Sequence, residues 1–161
     1  MKSQISVLVL LGCAVAAAER HPWAGFLPGS YARWKTVTRS GGNESIAEVK
    51  QTVISVGLYH AVLETETLYG GRLVRTRAQV PLRAETPPLP LGKIVTLAKE
   101  TVIVESRAVS AVCYESFSEV SQGRASERSC LSEEVPGRLV RSMIRLDGVE
   151  SSTELLAFGV H

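Results

Sequence analysis

The segment that decides the fold is "CYESFSEVSQGRASERSC", residues Cys113 to Cys130. It begins and ends with cysteine, and charged side chains recur between the two. If a two-residue turn is centred on Ser121 and Gln122, every cross-strand partner is fixed by arithmetic. Cys113 then lies directly opposite Cys130. The same register also creates two pairs of opposite charge: Glu119 with Arg124 and Glu115 with Arg128. The segment therefore predicts a β-hairpin whose ends carry facing cysteines.

This register predicts a disulfide. Directly opposed residues approach to about 4.5 Å between Cα atoms in a non-hydrogen-bonded pair, which is within disulfide range. The chain has three cysteines, and only Cys13 lies outside this segment. If the domain is exported, the even number of cysteines after Cys13 favours a bridge between Cys113 and Cys130, with two free buried thiols as the alternative.

Three more segments follow the same rule, with turns at Gly41–Gly42, Gly70–Gly71 and Asp147–Gly148. Two-residue turns at these positions create opposite-charge pairs: Arg39 with Glu44, Lys35 with Glu48, Glu66 with Arg75, Glu64 with Arg77, Arg145 with Glu150, and Arg141 with Glu154. They also oppose apolar side chains: Trp34 with Val49, Leu63 with Ala78, Ala61 with Val80, and Val140 with Leu155. Consecutive hairpins with complementary partners predict an antiparallel meander.

Less regular segments complete the chain. The prolines of "RAETPPLPLGKIV", residues 83–95, predict an extended connector, since proline is excluded from central strands. We expect a further strand over 101–105, preceded by a turn. Val135-Pro136-Gly137-Arg138 fits a type II turn. Together the patterns predict one all-β domain over 19–161, with eight or nine antiparallel strands in a strongly curved sheet or open barrel.

The N-terminal stretch "MKSQISVLVLLGCAVAAAER" has the pattern of a secretory signal, with one lysine, an apolar run and small residues before Glu19. We predict a signal peptide over 1–18. As an alternative, Leu10-Leu11-Gly12-Cys13 resembles a bacterial lipobox, in which Cys13 would be lipidated. Both interpretations predict an exported protein, periplasmic or extracellular, with a lipid anchor in the outer envelope only in the second.

The charge balance and apolar content exclude several classes. The formal net charge of the whole chain is +2, and Lys2 of the leader contributes one of these charges. A nucleic-acid binder should have a clear basic excess. No second long apolar segment follows the leader, so we expect no transmembrane span in the mature chain.

The sequence contains no motif that would carry catalysis. The three histidines, His21, His60 and His161, have no metal-ligand spacing between them or with cysteine. Asp147 is the single aspartate and is already assigned to a turn, which disfavours a Ser-His-Asp triad. We therefore predict no catalytic residue, no metal site and no cofactor, and a protein that is not an enzyme.

Two short motifs carry a resemblance that covers most of the mature chain. "HPWAGFLPGSYARWKTVTR", residues 21–39, and "SEEVPGRLVR", residues 132–141, resemble segments of uncharacterised bacterial exported proteins. Many of those proteins have a cysteine at the position of Cys113 and tryptophan near that of Cys130, so this chain departs by adding a partner. The pattern is more remotely similar to the curved-sheet lipoprotein carriers of the bacterial envelope. That similarity implies an apolar concavity.

Two functions are compatible with these features. The function that we predict is a carrier that binds a lipid-like or other apolar ligand on a concave sheet face. The second is a structural or protein-interaction module of the envelope, without a small-molecule site. A carrier needs a void between its inward side chains, whereas a module fills that space. The side chains predicted to point inward are Trp34, Val49, Val53, Leu63, Ala78, Val80, Val140 and Leu155.

Overall fold

A computed structural model describes residues 21–83, 93–120 and 123–161. The predicted signal peptide, Cys13 and most of the connector lie outside these residues, as do Ser121 and Gln122. The described residues form nine β-strands: β1 Tyr31–Ser40, β2 Asn43–Val56, β3 His60–Tyr69, β4 Arg72–Pro81, β5 Lys93–Val104, β6 Arg107–Val120, β7 Gly123–Leu131, β8 Leu139–Leu146 and β9 Val149–Gly159. This confirms the predicted all-β class and strand number.

All nine strands belong to one antiparallel sheet, in the order β4-β3-β2-β1-β9-β8-β7-β6-β5. Strands that are consecutive in sequence pair with each other, except β4 and β5, and the pairing of β1 with β9 joins the two halves of the meander. The sheet is curved but not closed, because β4 and β5 remain at its two edges. β5 also contacts β9, so this half of the sheet curls back on itself.

The predicted registers are confirmed for all four hairpins. The pairs that the ladders contain include Arg39 with Glu44, Glu64 with Arg77, Arg145 with Glu150, and Cys113 with Cys130. Glycines at the turns have positive φ, for example 56° at Gly70 and 76° at Gly71. A residue without Cβ takes this conformation at little cost. Turn chemistry and charge pairing thus select the same alignment.

The prediction for β5 was wrong in its bounds. Lys93 begins the strand, so the last three residues assigned to the connector are part of it, and no turn precedes Thr101. The turn lies instead at Glu105 and Ser106, with φ of 48° and 69°. Because a two-residue turn of this kind usually contains glycine or asparagine, its sequence gave no signal. Lys99 and Glu100 lie within an edge strand, where charged side chains are common.

The two faces of the sheet can be followed by direct cross-strand partners. Thr36, Thr153, Ser142, Ser129 and Tyr114 lie opposite one another in turn across β1, β9, β8, β7 and β6, so all five point to one side. Trp34 is on this side, which we call the tryptophan face. Cys113, adjacent to Tyr114, points to the other side, which we call the disulfide face.

The two halves of the sheet bury opposite faces. On β1, β2 and β3 the buried side chains Trp34, Val53 and Leu63 lie on the tryptophan face. On β5 and β6 they lie on the disulfide face: Val102, Val109, Ala111 and Cys113. Near its end β9 is buried on both sides, and its residues Leu155 and Phe158 join one continuous core. The curl of β5 towards β9 covers the part of the disulfide face that carries these side chains.

Candidate binding groove

The side chains predicted to form an apolar ligand face are largely part of the core. Trp34, Leu63, Val140 and Leu155 are 1–6% exposed. Trp34 also donates a hydrogen bond from Nε1 to the carbonyl oxygen of Leu139 at 2.7 Å. The buried indole N–H is therefore satisfied, as a fixed core position requires.

A lid of residues from two loops covers this part of the tryptophan face. The ring of Trp23 contacts Trp34 edge to face, with the ring centroids 6.4 Å apart. Val135 is fully buried in the same cluster. The type II turn predicted over 135–138 is confirmed by the hydrogen bond from Arg138 N to Val135 O at 2.8 Å and by a φ of 78° at Gly137. These contacts pack Trp23 and Val135 over Trp34.

The remaining predicted face residues have less burial. Val49 and Val80 are half-buried, and Val80 packs against the core, while Ala78 is exposed on the edge strand β4. Beyond the core the tryptophan face carries hydroxyl groups. Thr36 and Thr153 are hydrogen-bonded at 2.9 Å, and Ser129 and Ser142 at 2.9 Å. This part of the face is polar and internally paired.

A groove of about 490 Å³ lies on the disulfide face of β6, β7 and β8. Its floor follows the pleat, because alternate residues of each strand point to the same side. Phe117 and Met143 supply apolar surface, and Cys130 of the disulfide lies at one end. This volume is within the range of 300–1,000 Å³ that is common for ligand pockets. We call it the binding groove.

Charge is distributed by strand across the binding groove. The central strands β7 and β8 carry arginines, while the flanking strands β6 and β9 carry glutamates. The arginines on the disulfide face are Arg124, Arg128, Arg141 and Arg145, and the glutamates are Glu115, Glu119, Glu150 and Glu154. A basic strip thus runs between two acidic borders.

The arginines are held by contacts that leave donors available. Arg145 Nε lies 2.7 Å from Glu150, and Arg141 Nη2 lies 3.6 Å from Glu154. Arg128 lies 2.8 Å from Glu100 on β5. The side chains of Arg141 and Arg145 are 50% and 62% exposed. Their ion pairs therefore contribute only about 0–1 kcal/mol each to stability. A guanidinium has five N–H donors, and each of these two contacts involves one nitrogen.

Two further contacts involve side chains of β6, one in the binding groove and one on the tryptophan face. The Arg124 guanidinium lies over the Phe117 ring at 4.6 Å from its centroid, which is cation–π geometry. On the opposite side of the sheet, Tyr114 donates a hydrogen bond to Glu127 at 2.7 Å. Burial and this hydrogen bond raise the pKa of Tyr114 to about 12. Tyr114 is therefore neutral at physiological pH and fixes β6 to β7.

The predicted disulfide is formed. Cys113 and Cys130 are bonded, with their Cα atoms 3.9 Å apart, and both residues are buried. A buried disulfide is typical of an oxidising, exported compartment. Sequence reasoning found the cysteines and the charges around them, but it did not identify the binding groove. The alternation of Arg141, Met143 and Arg145 along one face of β8 was the available signal.

Comparisons with known proteins add no family. No family model and no curated protein matches the chain. The resemblance to bacterial exported proteins and to lipoprotein carriers therefore stays a prediction. Within the described parts of the chain, no helix is long and apolar enough to cross a membrane.

Proposed function

We propose that this chain is an exported protein of the cell envelope, without enzymatic activity, that binds another protein through the binding groove. Of the two functions compatible with the sequence, the interaction module is the one that the geometry supports better. The observation that carries this proposal is the basic strip of β7 and β8, exposed beside Phe117 and Met143 on the disulfide face. Arginine next to apolar surface is enriched where proteins bind proteins.

The packing of the tryptophan face supports this choice over a carrier. Trp34 and Leu155, which would have lined an apolar concavity, are packed beneath Trp23 and Val135. The hydroxyl groups further along that face disfavour a lipid chain. A lipid-like ligand on the tryptophan face would therefore have to displace core side chains, whereas a protein segment can enter the binding groove without doing so.

The buried disulfide supports export, and the finer location follows from the predicted leader. Secretion with cleavage before Glu19 places the domain in the periplasm or outside the cell. Lipidation at Cys13 would instead anchor it to the outer envelope. Fractionation of the cells, followed by the intact mass of the mature protein, distinguishes the two locations and processing routes. Recovery of an unprocessed chain in the cytoplasm would overturn the proposal of export.

Site-specific photo-cross-linking tests the interaction. A benzophenone amino acid replaces Met143 in the binding groove or, as a control, Thr76, which is exposed on β4. We expect a discrete protein adduct from position 143 in the envelope fraction and none from position 76. The adduct should disappear when Arg141 and Arg145 are both replaced by glutamine. Absence of an adduct, or an adduct with lipid alone, would overturn the proposal.

A further inference from the structure

The spacing of side chains along β8 specifies what the binding groove can recognise. Arg141, Met143 and Arg145 occupy alternate positions of one strand and therefore point to the same face. Residues four positions apart on an extended strand have Cα atoms about 13 Å apart, and each guanidinium contacts a different glutamate of β9, so the two do not converge on one small anion. Two anionic groups at the same separation, with an apolar group between them, match the three side chains.

The molecule already contains one example of this match. On β9, Glu150 and Glu154 are four positions apart in sequence, and they lie directly opposite Arg145 and Arg141. Both glutamates contact their arginine partners, at 2.7 and 3.6 Å. An extended chain with acidic residues four apart is therefore in register with these two arginines. Met143 lies opposite Ser152, so its apolar side chain has no apolar partner on β9.

We propose that the binding groove takes an extended acidic segment of a partner protein, with the pattern acidic-x-apolar-x-acidic. Its two carboxylates bind Arg141 and Arg145, and its central apolar side chain packs on Met143. This inference rests on the proposed function and names the partner chemistry for the same site. Arg128, directly opposite Met143 on β7, adds a third guanidinium beside the middle of the segment.

The ion pairs that Arg141 and Arg145 already make do not prevent them from binding an acidic segment. Exposed arginine–glutamate pairs are weak, and a guanidinium can bind a second carboxylate through its remaining N–H groups. The acidic borders on β6 and β9 restrict where an acidic segment can lie, because carboxylates displaced sideways would meet Glu115 or Glu154. The segment is thereby aligned along β7 and β8.

Titration with short peptides tests the spacing. The first peptide is acetyl-Ser-Glu-Thr-Leu-Thr-Glu-Ser-amide, and the control has the same composition with its glutamates three residues apart. Because odd separations place side chains on opposite sides of an extended chain, we expect the control to bind at least fivefold more weakly. Amide chemical shifts should change on β7 and β8. Equal affinity of the two peptides would overturn the inference.

Variants locate the interaction. We expect the double variant Arg141→Gln, Arg145→Gln to weaken binding of the first peptide at least tenfold, with an unchanged circular dichroism spectrum. The matched control is Arg75→Gln, Arg77→Gln, which removes two exposed, paired arginines of β4 and should leave binding unchanged. Should the groove variant misfold, the comparison of the two peptides on the wild-type protein still decides the matter.

A separate titration with dodecyl phosphate distinguishes a lipid-like anion from an acidic segment. Tighter binding of dodecyl phosphate than of the first peptide, lost in the double variant, would overturn the peptide assignment. If the photo-adduct at position 143 forms but the two peptides bind equally, the specific pattern is wrong and the proposed interaction function remains. If no adduct forms while the peptides discriminate, the recognition chemistry is correct and the proposed function is wrong.

Discussion

Cys113 and Cys130 occupy directly opposite positions of β6 and β7, so their disulfide crosses a single rung of the ladder. The two residues are 17 positions apart in sequence, and both are at most 3% exposed. The bridge fixes the register in which Glu115 faces Arg128 at the rim of the binding groove. One covalent bond thus links the hairpin's alignment to the position of a groove arginine.

Removal of the disulfide should destabilise the fold. A loop of this length gives a predicted stabilisation of about 3 kcal/mol when it is closed by a disulfide. We expect the variant Cys113→Ala, Cys130→Ala to lose about that amount in the free energy of unfolding, measured by urea denaturation. Reduced wild-type protein is the control, because both sulfur atoms remain in the core. If reduction leaves the urea midpoint unchanged, the bridge contributes nothing to stability.

The hairpin registers could be predicted because two independent signals coincide. Gly-Gly or Asp-Gly marks three of the turns, and each turn fixes partners that can be checked for charge, as at Arg39 and Glu44. The turn at Glu105 and Ser106 has neither glycine nor complementary partners around it, since Val104 faces Arg107. That hairpin was therefore missed, although its strands follow the same geometry.

Burial was harder to predict than pairing. Alternation shows which residues share a face, but it does not show which face another element covers. The sheet buries Trp34 on one face and Val109 on the other, and this change arises from the curl that brings β5 to β9. The predicted face residue Ala78 is exposed because β4 is an edge strand. Long-range curvature of this kind leaves no local pattern in the sequence.

The lid over Trp34 should be sensitive to one added methyl group. A Cβ at Gly137 would lie 3.0 Å from Cη2 of Trp34 and 3.1 Å from Cζ2 of Trp23. Gly148 has a similar φ of 74°, but no atom lies within 4 Å of its Cβ position. Alanine at either site incurs the backbone cost of a positive φ, and only Gly137→Ala also overpacks the core.

We therefore expect Gly137→Ala to lower the free energy of unfolding by at least about 1 kcal/mol more than Gly148→Ala does. Urea denaturation of the two variants measures this difference directly. Near-ultraviolet circular dichroism should change for Gly137→Ala alone, because that signal reports the packing of the two tryptophans. Equal destabilisation by the two substitutions would show that the lid is loosely packed.

Acidification should weaken the attachment of the N-terminal segment. Burial, and secondly the nearby Arg138 charge, lower the pKa of His21 below its usual 6.5. The unfolded chain therefore takes up a proton at this residue at a higher pH than the folded chain does. The contribution of His21 to stability is complete above about pH 6.5 and is lost as the pH falls through its lower folded-state pKa. Protonation of His21 also removes the acceptor of a hydrogen bond, since the backbone N–H of Trp23 donates to His21 Nδ1 at 3.3 Å.

The matched variant for this prediction is His21→Asn, whose side-chain oxygen can accept the same hydrogen bond but does not titrate. We expect the urea midpoint of the wild-type protein to fall more between pH 7.5 and pH 5 than that of the variant. His60 and His161 are present in both proteins and cancel in the comparison. Identical pH dependence of the urea midpoint in the two proteins would show that His21 does not cause the loss of stability.

Tyr114 should remain protonated in strongly alkaline solution. Burial, followed by the hydrogen bond to Glu127, raises its pKa to about 12 from the usual 10. The folded chain thus retains a proton that the unfolded chain releases, so this contribution to stability is complete below pH 10 and is lost as the pH rises to about 12. The absorbance of tyrosinate, recorded after rapid jumps to increasing pH, should include a component that ionises near pH 12 and that Tyr114→Phe removes.

The variant Glu127→Gln separates the two causes of the raised pKa. It should lower the pKa of Tyr114 but leave it above the usual 10, because burial persists when the carboxylate charge is gone. A component that stays at the same pH in this variant would show that burial alone holds the proton, and that the hydrogen bond across β6 and β7 contributes little.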